Sequence, residues 1–116
     1  MAEVQHKEIR LYITADGKIP FARWLESISD LKTQTKIDQA QDKIRRGLLT
    51  KKNSEPVGSG VSEFRIDYGA GYRIYFGQIG SLVILLWGGD KSTQNRDILK
   101  AKEYWADYEE REGSNK

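Results

Sequence analysis

The sequence predicts an α+β domain in which two N-terminal helices pack on a small, mostly antiparallel sheet of about four strands, followed by a C-terminal helix. Three observations predict this class: alternating apolar residues near the start, two stretches of helical periodicity, and three closely spaced strands before an aromatic-rich helix. A chain of 116 residues suffices for one such domain. Residues 1–116 are therefore expected to form a single unit with a frayed tail at about 113–116.

The first strand and the first helix follow from the spacing of apolar residues. Alternation over residues 9–13 predicts a half-buried strand, and Asp16-Gly17 predicts the turn that ends it. Pro20 fits the first turn of a helix, where its missing N–H leaves no bond unmade. The helix then has one apolar face, formed by Phe21, Trp24, Leu25 and Ile28.

A second helix and a loop are predicted next. The apolar face of this helix consists of Ile37, Ala40, Ile44 and Leu48. We expect a cap at Thr33 or Thr35 and an end near Gly47. Residues 53–60 contain Asn, Ser, Pro and two Gly, which predicts a loop.

Three strands and a final helix complete the domain. The strands are expected at about Val61–Asp67, Gly71–Gly77 and Ser81–Trp87. The continuous apolar run Leu82–Trp87 indicates a mid-sheet strand buried on both faces, and Gly88-Gly89 is expected to end it. The last helix carries a stripe made of Ile98, Ala101, Trp105 and Tyr108.

Composition excludes several classes of protein and of site. With 38% hydrophobic residues and 10% aromatic residues, the chain is too apolar to be disordered. It has no Cys and one His, His6, which excludes thiolate zinc sites, disulfides and multi-histidine metal sites. No metal and no cofactor are expected, and His6 is predicted to lie at the surface. The longest apolar run is six residues and no signal peptide is recognisable, so we expect a cytoplasmic protein without a membrane span.

The strands expected at Val61–Asp67 and Gly71–Gly77 form a hairpin, and their apolar residues restrict how the two strands can pair. The apolar residues of both strands must meet the same core, which a three-residue loop over 68–70 achieves. Glu63 then lies opposite Tyr75, and Arg65 lies directly opposite Arg73 on the face away from that core.

The facing arginines support two interpretations, which the pattern alone does not separate. Directly opposed like charges destabilise a sheet, and a bound phosphate would relieve the repulsion because guanidinium groups match phosphate oxygens. Alternatively, Glu63 and Asp67 neutralise Arg65 and Arg73 on a solvated face.

A second anion-binding candidate lies between the last strand and the last helix, over Gly88–Gln94. The N–H groups of a helix start, the Lys91 ammonium and the polar side chains of Ser92, Thr93 and Gln94 suit an anion. The alternative is that Ser92 or Thr93 simply caps the last helix.

Basic residues are concentrated in and after the second helix. Seven Lys and Arg face two Asp between Leu31 and Lys52, whereas the whole chain has a net charge of only +2. Such a run suggests an anionic partner, although it is also typical of a solvated helix face. The candidate RNA-binding or phosphate-binding residues here are Lys43, Arg45, Arg46, Lys51 and Lys52.

The order of elements and three motifs resemble the RelE/ParE superfamily of toxins, and most of all its HigB-like "addiction module killer protein" branch. The motifs are the hairpin sequence over 61–76, the segment Gly88–Gln94, and Pro20-Phe21 with Trp24-Leu25. The resemblance spans residues 8–108 and implies a RelE-like fold. It also implies a type II toxin that cleaves mRNA on the ribosome by 2′-OH attack on the adjacent phosphate, without a metal.

The resemblance assigns roles to five residues. Arg73 matches the arginine that contacts the scissile phosphate, Arg65 lines the same groove, and Lys91 matches a basic residue after the last strand. Glu63 stands where some relatives carry lysine, and Glu55, followed by Pro56, matches a glutamate that acts as base in one branch. The implied partners are mRNA, the ribosome and a cognate antitoxin with a helix-turn-helix.

Two other functions remain open at this stage. The ParE branch of the superfamily poisons DNA gyrase, so a toxin that binds a protein without catalysing a reaction is the alternative. An inactive scaffold retained for complex formation is the third possibility.

Overall fold

The computed structural model of this protein describes residues 6–113. The strands and helices are β1 (Glu8–Leu11), α1 (Pro20–Glu26), α2 (Leu31–Arg45), β2 (Ser54–Gly58), β3 (Val61–Ile66), β4 (Tyr72–Ile79), β5 (Leu82–Gly89) and α3 (Gln94–Gly113). A short 3-10 helix, Lys91–Thr93, joins β5 to α3. Residues 114–116, where most of the frayed tail is expected, lie outside the described residues.

The strands form one mixed sheet in the order β1-β5-β4-β3-β2. β1 is parallel to β5, and the other neighbouring pairs are antiparallel. The α+β class is confirmed, but the expected number of about four strands is wrong, because β2 lies inside the segment 53–60 that the composition predicts to be a loop. β2 is an edge strand, where the missing N–H of Pro56 is tolerated, and its register shifts between Pro56 and Gly58.

The sheet separates two apolar cores. Phe21 of α1 and the buried face of α2 pack on one side, and Ala101 and Trp105 of α3 pack on the other. β5 contributes to both cores: Val83 and Leu85 face α1 and α2, whereas Ile84 and Leu86 face α3. The prediction that this strand is buried on both faces in mid-sheet is therefore confirmed.

The predicted cap of α2 and the predicted place of Leu48 on its apolar face require correction. Asp30, not Thr33 or Thr35, caps α2, because its carboxylate accepts hydrogen bonds from the backbone N–H of Thr33 at 2.9 Å and from the Thr33 hydroxyl at 2.6 Å. The helix ends at Arg45, close to the expected end near Gly47, which has φ +73°. Leu48 therefore lies beyond the helix and is 37% exposed.

The predicted end of β5 is also wrong, because the strand continues through Gly88 and Gly89. Trp24 of α1 packs directly on Gly88, and Asp97 of α3 packs on Gly89, so closely that a Cβ atom at either glycine would overlap these side chains. The two glycines therefore mark close packing of helices on the strand. In contrast, the predicted hairpin register is confirmed, with Arg65 opposite Arg73.

A similar contact on β4 gives the first prediction. A Cβ atom at Gly77 would overlap the six-membered ring of Trp105, so we expect Gly77→Ala to lower the free energy of unfolding by about 1–3 kcal/mol through overpacking. Gly113→Ala is the matched control, since nothing lies within 4 Å of that Cβ position. Urea denaturation of both variants measures the difference, and equal stability would contradict the packing described here.

Candidate functional site

One concave feature of the described residues is a basic cleft. It has a volume of about 700 Å³ and lies between α2, the turn at 50–53, the β3–β4 hairpin and the 3-10 helix. Among the residues that line the cleft, one is acidic, namely Asp67. The basic residues that line it are Lys36, Lys43, Lys52, Arg65, Arg73 and Lys91. Such an excess of cations in a concave surface attracts a polyanion.

Arg65 is held by one carboxylate and two backbone carbonyls. Its Nη1 donates to Glu55 Oε1 at 2.9 Å, and its Nη2 donates to the carbonyls of Lys51 and Lys52 at 3.2 and 2.9 Å. The side chain is 28% exposed and lines the cleft. Arg65 is therefore ordered before any ligand binds, and a phosphate at its guanidinium would compete with Glu55.

Arg73 is the more buried of the two facing arginines, with a side chain that is 11% exposed. Its Nη1 donates to the Gly71 carbonyl at 2.7 Å, and its Nε is buried without a hydrogen-bond partner. Gly71 has φ +77°, and a Cβ atom there would lie 3.4 Å from Lys91 Cβ and 3.5 Å from Arg73 Nη1. Gly71 therefore lies against both the Lys91 side chain and the Arg73 guanidinium, and the two basic residues line the same cleft.

Glu63 lies between the two guanidinium groups and is completely buried. Its Oε2 is 3.6 Å from Arg65 Nη1, and its Oε1 is 3.5 Å from Arg73 Nε. Gln94, at the start of α3, donates to both carboxylate oxygens at 3.1 and 3.3 Å. Burial, followed by the negative charge of Glu63, raises the pKa of the neighbouring Tyr75, whose hydroxyl has no hydrogen-bond partner.

The polar residues after β5 serve mainly as helix caps. Asp90 is the cap residue: it accepts from the Ser92 backbone N–H at 2.8 Å and the Ser92 hydroxyl at 2.6 Å, and these bonds lower the pKa of Asp90. Thr93 completes a capping box with Asp90 and donates to the buried Asp97. Asp90 therefore caps the 3-10 helix that leads into α3, and a cap of α3 itself by Ser92 or Thr93 stays a prediction.

The predicted basic residues in and after α2 divide into two groups, one inside the cleft and one outside it. Lys43 and Lys52 line the cleft, whereas Arg45 and Arg46 lie outside it and pair with Asp42 at 3.4 and 3.7 Å. Lys51 is exposed and also lies outside the cleft, and its backbone carbonyl accepts a hydrogen bond from Arg65.

Sequence reasoning missed Lys36, which lines the cleft two helical turns before Lys43. Its Nζ lies 5.5 Å from the centroid of the Tyr68 ring, a cation–π contact that places the ammonium over the hairpin loop. The seven-residue spacing of Lys36 and Lys43 puts both on one helix face, and this signal could have identified Lys36.

Other site types find no support within residues 6–113. No three His, Cys, Asp or Glu side chains in this range come close enough to hold a metal ion. None of the helices in the same range has the length and apolarity needed to cross a bilayer. His6 is exposed, as expected.

The cleft geometry gives a prediction about binding of a polyanion, for which single-stranded RNA is the probe. We expect Lys36→Ala and Lys43→Ala each to weaken binding of a single-stranded 2′-O-methyl RNA and to reduce the slope of log affinity against log salt by about 0.7. Lys18→Ala is the control, because Lys18 pairs with Asp16 outside the cleft. Fluorescence anisotropy at several salt concentrations measures both quantities, and equal effects of all three substitutions would contradict a localised site.

Comparison with known proteins places the chain in a family. Residues 23–105 match the family described as "Phage derived protein Gp49-like (DUF891)", and this segment includes every residue named above as lining the cleft. A protein of Haemophilus influenzae described as "Uncharacterized protein" is 44% identical over 85 residues, which cover 72% of this chain and 84% of that protein. The chain therefore belongs to the phage-derived Gp49-like family, a family of RelE/HigB-like toxins.

Proposed function

We propose that this protein is the toxin of a type II toxin–antitoxin system and that it cleaves mRNA on the ribosome. The observation that carries the proposal is that Arg65 and Arg73, direct partners in the β3–β4 ladder, line a basic cleft together with Lys91. Membership of a family associated with toxins of such systems supports it. In this proposal the protein works in the cytoplasm, as ribosome-dependent cleavage requires.

The proposed reaction is a transesterification within the RNA. The ribose 2′ oxygen attacks the adjacent phosphorus and loses its proton to a base, the P–O5′ bond breaks, and O5′ takes up a proton from solvent. The products are a 2′,3′-cyclic phosphate and a 5′-hydroxyl. Arg65, Arg73 and Lys91 would stabilise the charge that develops on the phosphate oxygens. Electrostatic stabilisation of this kind is usually the largest single contribution to an enzyme's rate enhancement.

The structure offers two exposed carboxylates near the proposed phosphate site. Glu55 is 57% exposed and contacts Arg65, and Asp67 lines the cleft. Glu63, the third candidate from the sequence, is completely buried beneath the guanidinium groups, where a ribose hydroxyl has no access. We therefore propose Glu55 as the base and exclude Glu63 from that role in this arrangement.

The remaining basic residues have a proposed role in docking. Lys43, Arg45, Arg46, Lys51 and Lys52 would contact ribosomal RNA along and after α2. Ser92 and Thr93 donate to Asp90 and Asp97, so their proposed contribution to phosphate binding is limited to atoms that stay exposed. Gln94 donates its side-chain amide to Glu63, so we propose that it acts through this carboxylate and does not bind phosphate itself. A cognate antitoxin with a helix-turn-helix is the proposed protein partner.

One observation favours a second candidate function. The Arg65 fork is already occupied by Glu55 and two carbonyls, as it would be on a face that binds no phosphate. On that basis the alternative is a toxin that binds a protein, such as DNA gyrase, without catalysing a reaction.

Arg73→Ala tests the leading proposal. We expect this variant to lose growth inhibition and to cleave ribosome-bound mRNA at least about a hundredfold more slowly, because a fixed cation at the phosphate is removed. Arg10→Ala is the matched control. Arg10 is an exposed arginine on the edge strand β1, where it pairs with Glu8 of the same strand.

Mapping of transcript 5′ ends after brief induction separates the candidate functions. Codon-aligned cuts with the wild type, but not with Arg73→Ala, support the nuclease. DNA damage without such cuts supports the protein-binding toxin, and full toxicity of Arg73→Ala removes Arg73 from the mechanism.

The assignment of Glu55 as base gives a separate prediction. Glu55→Gln should slow cleavage by about a hundredfold or more, because proton abstraction by a positioned group contributes at least that much. Asp67→Asn is the comparison, since it alters the other exposed carboxylate of the site. A slower rate for Asp67→Asn alone would transfer the role to Asp67.

A further inference from the structure

We infer that Glu63 is a positioning residue: its buried carboxylate holds the Arg65 and Arg73 guanidinium groups side by side in the arrangement that binds one phosphate, and Gln94 holds Glu63. This inference rests on the proposed function, because it assigns a role at the same phosphate site. It differs from the sequence-based assignment of Glu63 as a base and explains why an acidic residue lies inside a basic site.

The sheet register places the two arginines and Glu63 on one face. Arg65 and Arg73 are direct partners in the β3–β4 ladder, so both side chains leave the sheet on the same face. Directly opposed like charges repel, and two unrestrained arginines would turn away from one another. Glu63, two residues before Arg65 on β3, leaves the sheet on that same face.

The contacts divide the carboxylate evenly between the two arginines. One oxygen lies 3.6 Å from Arg65 Nη1, and the other lies 3.5 Å from Arg73 Nε. Arg73 Nε is buried without a hydrogen bond, so a shift of a few tenths of an ångström towards Glu63 would convert the ion pair into a hydrogen bond. Phosphate binding at the outer side of the guanidinium would leave this inner contact in place.

Gln94 extends the arrangement to α3. Its Nε2 donates to both oxygens of Glu63, so the carboxylate has one partner on the helix and two on the sheet. A completely buried carboxylate with this many partners has one low-energy orientation. The start of α3 thereby adds one constraint on both guanidinium groups, besides the hydrogen bonds that each arginine makes on its own side of the cleft.

The charge balance fits a phosphate. The two guanidinium groups and Lys91 carry three positive charges, and the paired carboxylates of Glu63 and Glu55 carry two negative ones, so one positive charge remains. The site therefore stays attractive to an anion while the repulsion within the arginine pair is reduced. Removing the carboxylate charge should strengthen the attraction for RNA and, at the same time, loosen the geometry of the two arginines.

These opposite effects define the experiment. Wild type and Glu63→Gln are compared for single-turnover cleavage of mRNA on purified ribosomes, and for affinity towards a single-stranded 2′-O-methyl RNA that is not cleaved. We expect Glu63→Gln to cleave about ten to a hundredfold more slowly, because small misplacement of positioned groups slows reaction by such factors. We expect its RNA affinity to be equal to or higher than that of the wild type.

If Glu63 only stabilised the fold, Glu63→Gln would lower both the cleavage rate and the RNA affinity. If Glu63 were the base, the substitution would remove the rising limb of the cleavage rate measured against pH. A cleavage rate within about twofold of wild type overturns the inference, and so does an equal loss of rate and affinity, or loss of the rising limb. Glu8→Gln is the matched control, since it removes the carboxylate of an exposed Glu–Arg pair 2.7 Å apart on β1. It should change neither quantity.

Gln94 provides a second variant that leaves the Glu63 charge intact. Gln94→Ala should slow cleavage at unchanged affinity, and the double variant with Glu63→Gln should be no slower than Glu63→Gln alone, because Gln94 acts through Glu63. Additive effects would mean that Gln94 contacts RNA itself and would overturn this part of the inference. Should Glu63→Gln fail to fold, Gln94→Ala decides alone: a wild-type rate overturns the inference.

The wild-type measurement separates this inference from the proposed function. Absence of codon-aligned cleavage by the wild type contradicts the proposed nuclease. In that case the RNA affinities decide the role of Glu63. A higher affinity of Glu63→Gln supports a carboxylate that reduces the positive charge of an anion-binding site, and a lower affinity overturns the inference.

Discussion

The arrangement of the candidate site depends on one electrostatic constraint: two arginines are direct partners in an antiparallel ladder, with a buried carboxylate between them. The register of β3 and β4 requires Arg65 and Arg73 to share a face. Glu63 makes this arrangement stable, because it is completely buried and contacts both guanidinium groups. A buried carboxylate is stable only when it is paired and hydrogen-bonded, so carboxylate and arginines stabilise one another.

The rest of the fold places other groups around this cluster. α3 packs on the same face of the sheet as Glu63 and brings Gln94 to it, while α2 packs on the opposite face and presents Lys36 and Lys43 to the cleft. The turn at 50–53 and the loop of the hairpin close the cleft, with Lys91 beside Arg73. A change in the packing of either helix on the sheet would therefore alter the site as well as stability.

The sequence predicted the features that depend on local periodicity and missed those that depend on how elements pack. Because apolar residues of both hairpin strands must meet one core, the pairing of Arg65 with Arg73 follows from the residue pattern alone. The burial of Glu63 does not, since it depends on where α3 begins. β2 was missed because Pro56 and Gly58, which normally indicate a loop, are tolerated at a sheet edge. Site roles for Arg73, Arg65 and Lys91 remain predictions.

The central claim is that both guanidinium groups bind the same phosphate, and arginine side-chain NMR tests it most directly. A single-stranded 2′-O-methyl RNA is titrated into ¹⁵N-labelled protein while the Nε–Hε signals, assigned with Arg65→Lys and Arg73→Lys, are followed. The account predicts that the Arg65 and Arg73 signals shift together, with one dissociation constant, and that the Arg10 signal stays in place. RNA binding that leaves either of the two signals unmoved would contradict the account.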